Sequence, residues 1–137
     1  MSVRPVVVDS SIAVKWLKPQ GEEHVAEAFA LLEAHEDGRI ELAAPTHLLL
    51  EVMNALWSHH ASAEDIQKAL DLLMGLRMTL VVPDAELLKR SAALAVEHRL
   101  SIYDAVFAAL AERLDCELVT DGRQLAESGA RRVRALG

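Results

Sequence analysis

Four acidic residues of this chain stand out because of where they lie. Asp9 directly follows three valines, and Asp121 directly follows the predicted strand at 117–120. Asp104 lies near the start of a helical pattern, and Glu51 lies inside the apolar string LLLEVMNAL. Several carboxylates in one pocket raise one another's pKa unless a cation neutralises them. Carboxylate oxygens without His or Cys suit Mg²⁺ or Mn²⁺ held partly through water, and such an ion can activate water against a phosphodiester.

Three of these acids also have an ordinary structural explanation. Asp9 has the residue type of a helix N-cap. Asp104 fits a variant capping box that opens with Ser101. Asp121 and Gly122 together fit a common turn. The residue types alone therefore leave the cap or turn and the metal ligand open for each of the three.

Glu51 is harder to explain as a structural residue. We predict a long helix from Pro45 to about His60, and helical spacing places Glu51 on one face with His47, Asn54 and Ser58. This polar stripe is narrow and has apolar residues on both sides. The pattern favours a stripe that faces a cleft over one that faces solvent.

The elements that must position these acids alternate between strands and helices. Short, uniformly apolar strands between helices predict an α/β fold, a three-layer α/β/α sandwich around a central parallel sheet of four to five short strands. In such folds the ligand site lies beyond the carboxyl ends of the strands. We predict strands at 6–8, 40–43, 80–82, 117–120 and 132–135, and helices at 10–19, 22–36, 45–60, 62–77, 84–99, 101–114 and 123–128.

Composition limits the function classes further. The 137 residues are 52% hydrophobic with no linker or repeat, so we expect a single domain over 1–137. The single Cys116 excludes an internal disulfide, and the six histidines show no metal-ligand spacing. No apolar run approaches about 20 residues and no signal peptide opens the chain, so we expect a cytoplasmic protein without a membrane span.

The formal net charge of −7 bears on the choice of ligand. This charge repels a polyanion such as a nucleic acid, so local cations or a bound metal would have to compensate. Lys15, Lys18 and Arg123 lie near the proposed edge of the sheet, and Arg131, Arg132 and Arg134 form the densest basic run. These cations are the candidates for phosphate contacts.

Four strings in order resemble the PIN-domain ribonucleases, and most closely their VapC toxins. The strings are VVVDSSIAVKWL, LLLEVMNAL, LSIYDAVFAALAERL and ELVTDGRQL, and the resemblance covers nearly the whole chain. It implies the PIN-like fold described above and cleavage of single-stranded RNA by metal-activated water. It also implies a VapB-type antitoxin as partner and a homodimer.

The resemblance assigns roles residue by residue. Asp9, Glu51 and Asp104 match the acids that bind Mg²⁺ or Mn²⁺. Ser10 matches the hydroxyl residue that follows the first aspartate, and Asn54 matches an amide on the face of the glutamate.

The string VTDGRQL departs from the pattern of the relatives. They carry an acid two positions after the threonine, where this chain has Gly122, and Asp121 comes one residue early. We expect Asp121 to be the fourth catalytic and metal-binding acid through a changed turn, since glycine tolerates φ > 0. Thr120 would add a hydroxyl contact. The alternatives are a site of three acids, and a catalytically weakened PIN-like binding module that retains the fold.

Overall fold

The chain forms five strands and seven helices within residues 3–137, which are the residues described by the computed structural model. The strands are β1 (Arg4–Val8), β2 (Ile40–Pro45), β3 (Thr79–Val81), β4 (Glu117–Thr120) and β5 (Val133–Ala135). The helices are α1 (Ser10–Leu17), α2 (Val25–Glu36), α3 (His47–Ser58), α4 (Ala63–Gly75), α5 (Ala85–His98), α6 (Ile102–Arg113) and α7 (Arg123–Ala126).

All five strands form one parallel sheet in the order β3-β2-β1-β4-β5. The central strand β1 pairs with β2 on one side and with β4 on the other. Its residues Val6, Val7 and Val8 are essentially inaccessible to solvent, which is typical of a parallel strand covered on both faces. The apolar run in the sequence therefore marks the centre of the sheet.

Helices cover the sheet and give the three-layer α/β/α architecture expected from the sequence. Helix α6 packs against β1, β2 and β4 and against α5, while α1 packs against α2 and α3. Residues 105–111 of α6 are all buried, so this helix is a rigid part of the core. None of the helices in the described part of the chain is long and apolar enough to cross a membrane.

The chain order creates a switch point in the sheet. The chain goes from β1 to β2 and β3 on one side and then returns to β4 on the other side of β1. Ligand sites in open α/β sheets lie beyond the carboxyl ends of the strands at such a point. Asp9 follows β1 and Asp121 follows β4, so two of the four acids lie at this position in the backbone.

Two predicted helix boundaries are wrong, for reasons of long-range pairing. Pro45 does not open a helix: it is the last residue of β2, paired with Val81, and α3 begins at His47. Residues 22–24 are not helical because Lys15 binds the Glu22 carboxylate and the Glu23 carbonyl. The remaining elements lie close to their predicted positions, and Ser62 and Ser101 cap α4 and α6 as their capping boxes indicate.

Candidate functional site

Asp9 is both a helix cap and a buried, oriented carboxylate. It is the N-cap of α1, where its Oδ1 accepts hydrogen bonds from the Ser11 backbone N–H at 3.1 Å and from the Ser11 hydroxyl. The Thr120 hydroxyl donates to its Oδ2. The residue types left the cap and the ligand open as alternatives for Asp9, and the structure shows that Asp9 itself caps α1. The cap uses only Oδ1 of Asp9. The carboxylate group as a whole still lies at the end of β1, where a ligand site is expected.

Burial raises the pKa of Asp9, whose side chain is only 5% exposed. The hydrogen bonds from Ser11 and Thr120 oppose this rise, and the nearby charge of Asp104 adds to it. A carboxylate that is held by donors and still has a raised pKa is under electrostatic strain. It would be relieved by a cation.

Glu51 and Asp104 share this strain. Partial burial raises the pKa of Glu51 to about 7, with further contributions from Asp104 and Asp9 and an opposing hydrogen bond from Ser10. Burial also raises the pKa of Asp104, and His47 and Ser101 oppose that rise. The structure therefore brings three acids from α1, α3 and α6 close enough to interact through their charges.

The chemistry of this donor set fits a hard divalent cation. Within residues 3–137 none of Asp9, Glu51 and Asp104 has a Lys or Arg partner, so the mutual repulsion is not neutralised by the protein. Over the same residues, no three acidic, histidine or cysteine side chains converge on one point in a way that could hold an ion. Mg²⁺ keeps several waters and is usually bound through one or two carboxylates. The residues present thus fit an ion held partly through water.

Asp121 points away from these three acids. Its Oδ2 lies 2.8 Å from Lys15 Nζ and its Oδ1 lies 3.2 Å from His24 Nδ1. Burial alone would raise the pKa of Asp121, but Lys15 and His24 outweigh it and hold the pKa below its usual value. Its role as fourth metal ligand stays a prediction, and the geometry favours the alternative of a three-acid site.

Gly122, and not the side chain of Asp121, lies beside Asp9. A Cβ at residue 122 would lie 3.8 Å from Asp9 Oδ2 and 3.2 Å from the Thr120 hydroxyl. The backbone of Gly122 has φ −80° and ψ 128°, which any residue adopts, so the expectation of a turn with φ > 0 is wrong. The position where the resemblance implies an acid therefore lies beside Asp9, and in this chain it carries no side chain.

Lys15 lies near the edge of the sheet as predicted, but it is buried in an ion pair. It was a candidate for phosphate contacts, but its side chain is 2% exposed and its Nζ binds Glu22, the Glu23 carbonyl and Asp121. Burial lowers the pKa of Lys15, yet its bonds to Asp121 and Glu22 outweigh this and raise it. A lysine within the apolar string IAVKWL was the available signal for a buried ion pair.

Of the three predicted supporting residues, Thr120 and Ser10 contact the acids and Asn54 does not. Thr120 is fully buried, binds Asp9 and accepts a hydrogen bond from the Gly122 N–H at 2.9 Å. Ser10 lies beside Glu51, whereas Asn54 is exposed at the surface of α3. Ser11 was not among the predicted site residues, but its hydroxyl donates to Asp9 Oδ1 and accepts a hydrogen bond from the Asp121 N–H at 2.8 Å. The two serines that directly follow Asp9 in the sequence were the feature that could have indicated this role of Ser11.

Comparison with known proteins gives concordant similarities. A sequence profile described as PIN domain matches residues 6–130. Ribonuclease VapC3 of Pyrobaculum aerophilum is 35% identical over 127 residues, covering 89% of this chain and 92% of that protein. A toxin–antitoxin complex from Klebsiella pneumoniae contains a chain with a TM-score of 0.66 and 21% identity, covering 94% and 95% of the two chains. VapBC2 of Rickettsia felis, bound to a DNA fragment from its promoter, gives a TM-score of 0.74 at 16% identity, covering 97% and 99%.

Proposed function

The chain belongs to the PIN-domain family, and we propose that it is a Mg²⁺- or Mn²⁺-dependent endoribonuclease that acts as the toxin of a toxin–antitoxin pair. The observation that carries this proposal is the group of Asp9, Glu51 and Asp104. Burial raises the pKa of all three, the charge of Asp104 adds to the rise at Asp9 and Glu51, and none of the three has a Lys or Arg partner among the described residues. A ribonuclease relative at 35% identity supports RNA as the substrate class, and we propose that the RNA is single-stranded.

Each of the three acids has a distinct part in this function. A bound Mg²⁺ or Mn²⁺ would polarise the scissile phosphodiester and lower the pKa of a water. Asp9, fixed by Ser11 and Thr120, would hold the ion in a defined direction. Asp104, in the first turn of α6, and Glu51, on α3, would supply further carboxylate oxygens to the ion. Holding a reacting group in one geometry is a large part of such catalysis.

RNA must approach this acidic site against the net charge of the chain. Arg123 lines the same pocket as Asp9 and Asp104, and its side chain is 87% exposed. Its surface ion pair with Glu127 is weak and can exchange for a phosphate. Arg132 and Arg134 are engaged with Asp115 and Glu117. We therefore assign the phosphate contact nearest the site to Arg123.

The proposed partners follow from the same site. An antitoxin of the VapB type would place a basic side chain among the three carboxylates, where it would replace the cation. Leu50 and Trp57 lie seven residues apart on α3 and are both more than 60% exposed, which supports a homodimer through this helix. Light scattering of the purified protein measures this state. RNA as substrate supports a cytoplasmic location.

The direct test is cleavage of a single-stranded RNA by the purified protein. We expect cleavage with Mn²⁺ or Mg²⁺, none after EDTA, and recovery when the metal is restored, because the three acids alone supply no positive charge to the phosphate. Fluorescently labelled RNA resolved on a denaturing gel measures the rate. Persistent cleavage in EDTA would contradict a metal-dependent mechanism.

The second candidate, a weakened PIN-like binding module, has its own supporting observation. Asp121 is engaged by Lys15 and His24, and no acid stands at Gly122. This candidate predicts RNA binding without turnover. Binding of labelled RNA in Mn²⁺ with no cleavage over many hours would favour it over the ribonuclease.

Metal affinity should depend on pH through Glu51. Because the pKa of Glu51 is about 7 instead of about 4.5, this carboxyl holds a proton in the metal-free fold at pH 6, and a cation must displace it. The apparent affinity for Mn²⁺ should therefore rise with pH up to about 7, by as much as about tenfold per pH unit, and then level off. Calorimetric titration between pH 5.5 and 8 measures it.

The matched variant for this pH dependence is Glu51→Gln, which keeps the shape of the side chain and cannot titrate. We expect weaker Mn²⁺ binding with a shallower pH slope between 6 and 7. An unchanged slope in Glu51→Gln would assign the titration to another group.

A further inference from the structure

Tyr103 is an exposed aromatic residue directly beside a proposed metal-binding acid. Its side chain is 65% exposed, and it immediately precedes Asp104 in the first turn of α6. The other exposed aromatic residues among those described, Phe29 and Trp57, lie on α2 and near the end of α3. Tyr103 is thus an aromatic surface next to the acidic site that the metal chemistry does not use.

The ring of Tyr103 lies near a partly buried aromatic pair, His47 and Phe107. The His47 ring packs at a tilt on Phe107, with centroids 4.7 Å apart, and Phe107 is fully buried. The His47 ring also lies 6.1 Å from the Tyr103 ring, and His47 Nε2–H donates to the Tyr103 carbonyl at 3.0 Å. Three aromatic rings thus connect the core to the surface beside Asp104.

The backbone under Tyr103 is equally fixed. Ser101 caps α6 by accepting from the Asp104 N–H at 3.1 Å, and the helix residues that follow are buried. A ring on a rigid helix loses little conformational freedom when it binds a ligand. Such a ring is suited to stack on a flat, unpaired ring.

We propose that Tyr103 stacks against an unpaired base of the RNA next to the phosphate that is cleaved. Proteins hold single-stranded RNA by stacking bases on aromatic side chains, because every base has a π-face and bases in a duplex are not available. Stacking would place the adjacent phosphate beside Asp104, one residue away. Tyr103 would then favour single-stranded over double-stranded substrate. This inference rests on the proposed ribonuclease function.

The test compares Tyr103→Ala with Tyr103→Phe in cleavage of a short single-stranded RNA with Mn²⁺. Tyr103→Ala should raise KM by roughly 5- to 150-fold and leave kcat and the Mn²⁺ affinity unchanged, because stacking on one ring contributes that much to binding. Tyr103→Phe keeps the ring and should behave like the wild type. The same RNA carrying an abasic site at the stacked position should show no difference between wild type and Tyr103→Ala.

Each other result overturns the inference in a distinguishable way. An unchanged KM in Tyr103→Ala removes the ring from RNA binding. Equal losses in Tyr103→Ala and Tyr103→Phe assign the effect to the hydroxyl. A loss of Mn²⁺ affinity in Tyr103→Ala assigns the residue to positioning Asp104. Absence of metal-dependent cleavage by the wild type would instead contradict the proposed function itself.

Discussion

Replacing Asp104 by asparagine is expected to reduce metal-dependent cleavage of RNA by roughly 10³-fold or more. A bound metal contributes several kcal/mol to stabilising the transition state, and each ~1.4 kcal/mol corresponds to a factor of ten in rate. Asp104 is half-buried in the first turn of α6, and its backbone N–H makes the bond to Ser101. Asn keeps that backbone contact and the shape of the side chain, so the fold should be retained. Single-turnover cleavage with saturating Mn²⁺ measures the effect.

The matched control is Asp121→Asn, which removes the same charge from the residue that follows β4. Because the Asp121 carboxylate is turned toward Lys15 and His24, we expect a rate and a Mn²⁺ affinity within about twofold of the wild type. If Asp121→Asn loses as much activity as Asp104→Asn, then Asp121 is a fourth ligand and the three-acid site is wrong. Equal, near-wild-type rates in both variants would instead remove Asp104 from the site.

Replacing Lys15 by methionine is expected to lower the free energy of unfolding by about 3 kcal/mol. Removing one partner from a buried ion pair leaves the other charge without compensation, at a cost of about 3–5 kcal/mol. The lower end applies because the side chains of Asp121 and Glu22 remain 25% and 36% exposed and can be hydrated. Urea denaturation at pH 7 in EDTA measures the change without a contribution from metal.

Two variants make this result specific to the buried pair. Lys68→Met removes a lysine that pairs with Glu64 at the surface of α4, where both side chains are about 70% exposed or more, and it should change stability by less than about 1 kcal/mol. The double variant Lys15→Met/Asp121→Asn should be more stable than Lys15→Met, because no unpaired aspartate remains. A loss in Lys15→Met no larger than that in Lys68→Met would refute the buried-pair explanation.

The local features of this fold could be predicted from the sequence because their causes are local. The valine run before Asp9 predicts a buried parallel strand, and Ser62 and Ser101 predict caps three residues before Asp65 and Asp104. Helix boundaries failed at Pro45 and at residues 22–24. There, pairing with β3 and binding to Lys15 decided the conformation.

For the candidate site too, the sequence predicted where residues lie along the backbone but not the direction of every side chain. Because parallel strands end at one edge, the residue order alone predicts that Asp9 lies near the end of β4, and the polar stripe on α3 predicts that Glu51 faces a cleft. The direction of the Asp121 side chain could not be predicted in this way. Its Cα follows β4 as expected, but its carboxylate is drawn to Lys15, a residue far away in the sequence.

The sequence by itself determined the α/β class and the approximate ends of the strands, since apolar patterning and capping act over a few residues. It also pointed to four acids as candidates for one edge of the sheet. Only the tertiary structure decided that Asp9 is a cap and a candidate ligand at once, that Lys15 is buried, and that Gly122, not Asp121, faces Asp9. The physical reason is that a side chain's direction and the pairing of its charge depend on which distant residues pack around it. Neither propensity nor spacing contains that information.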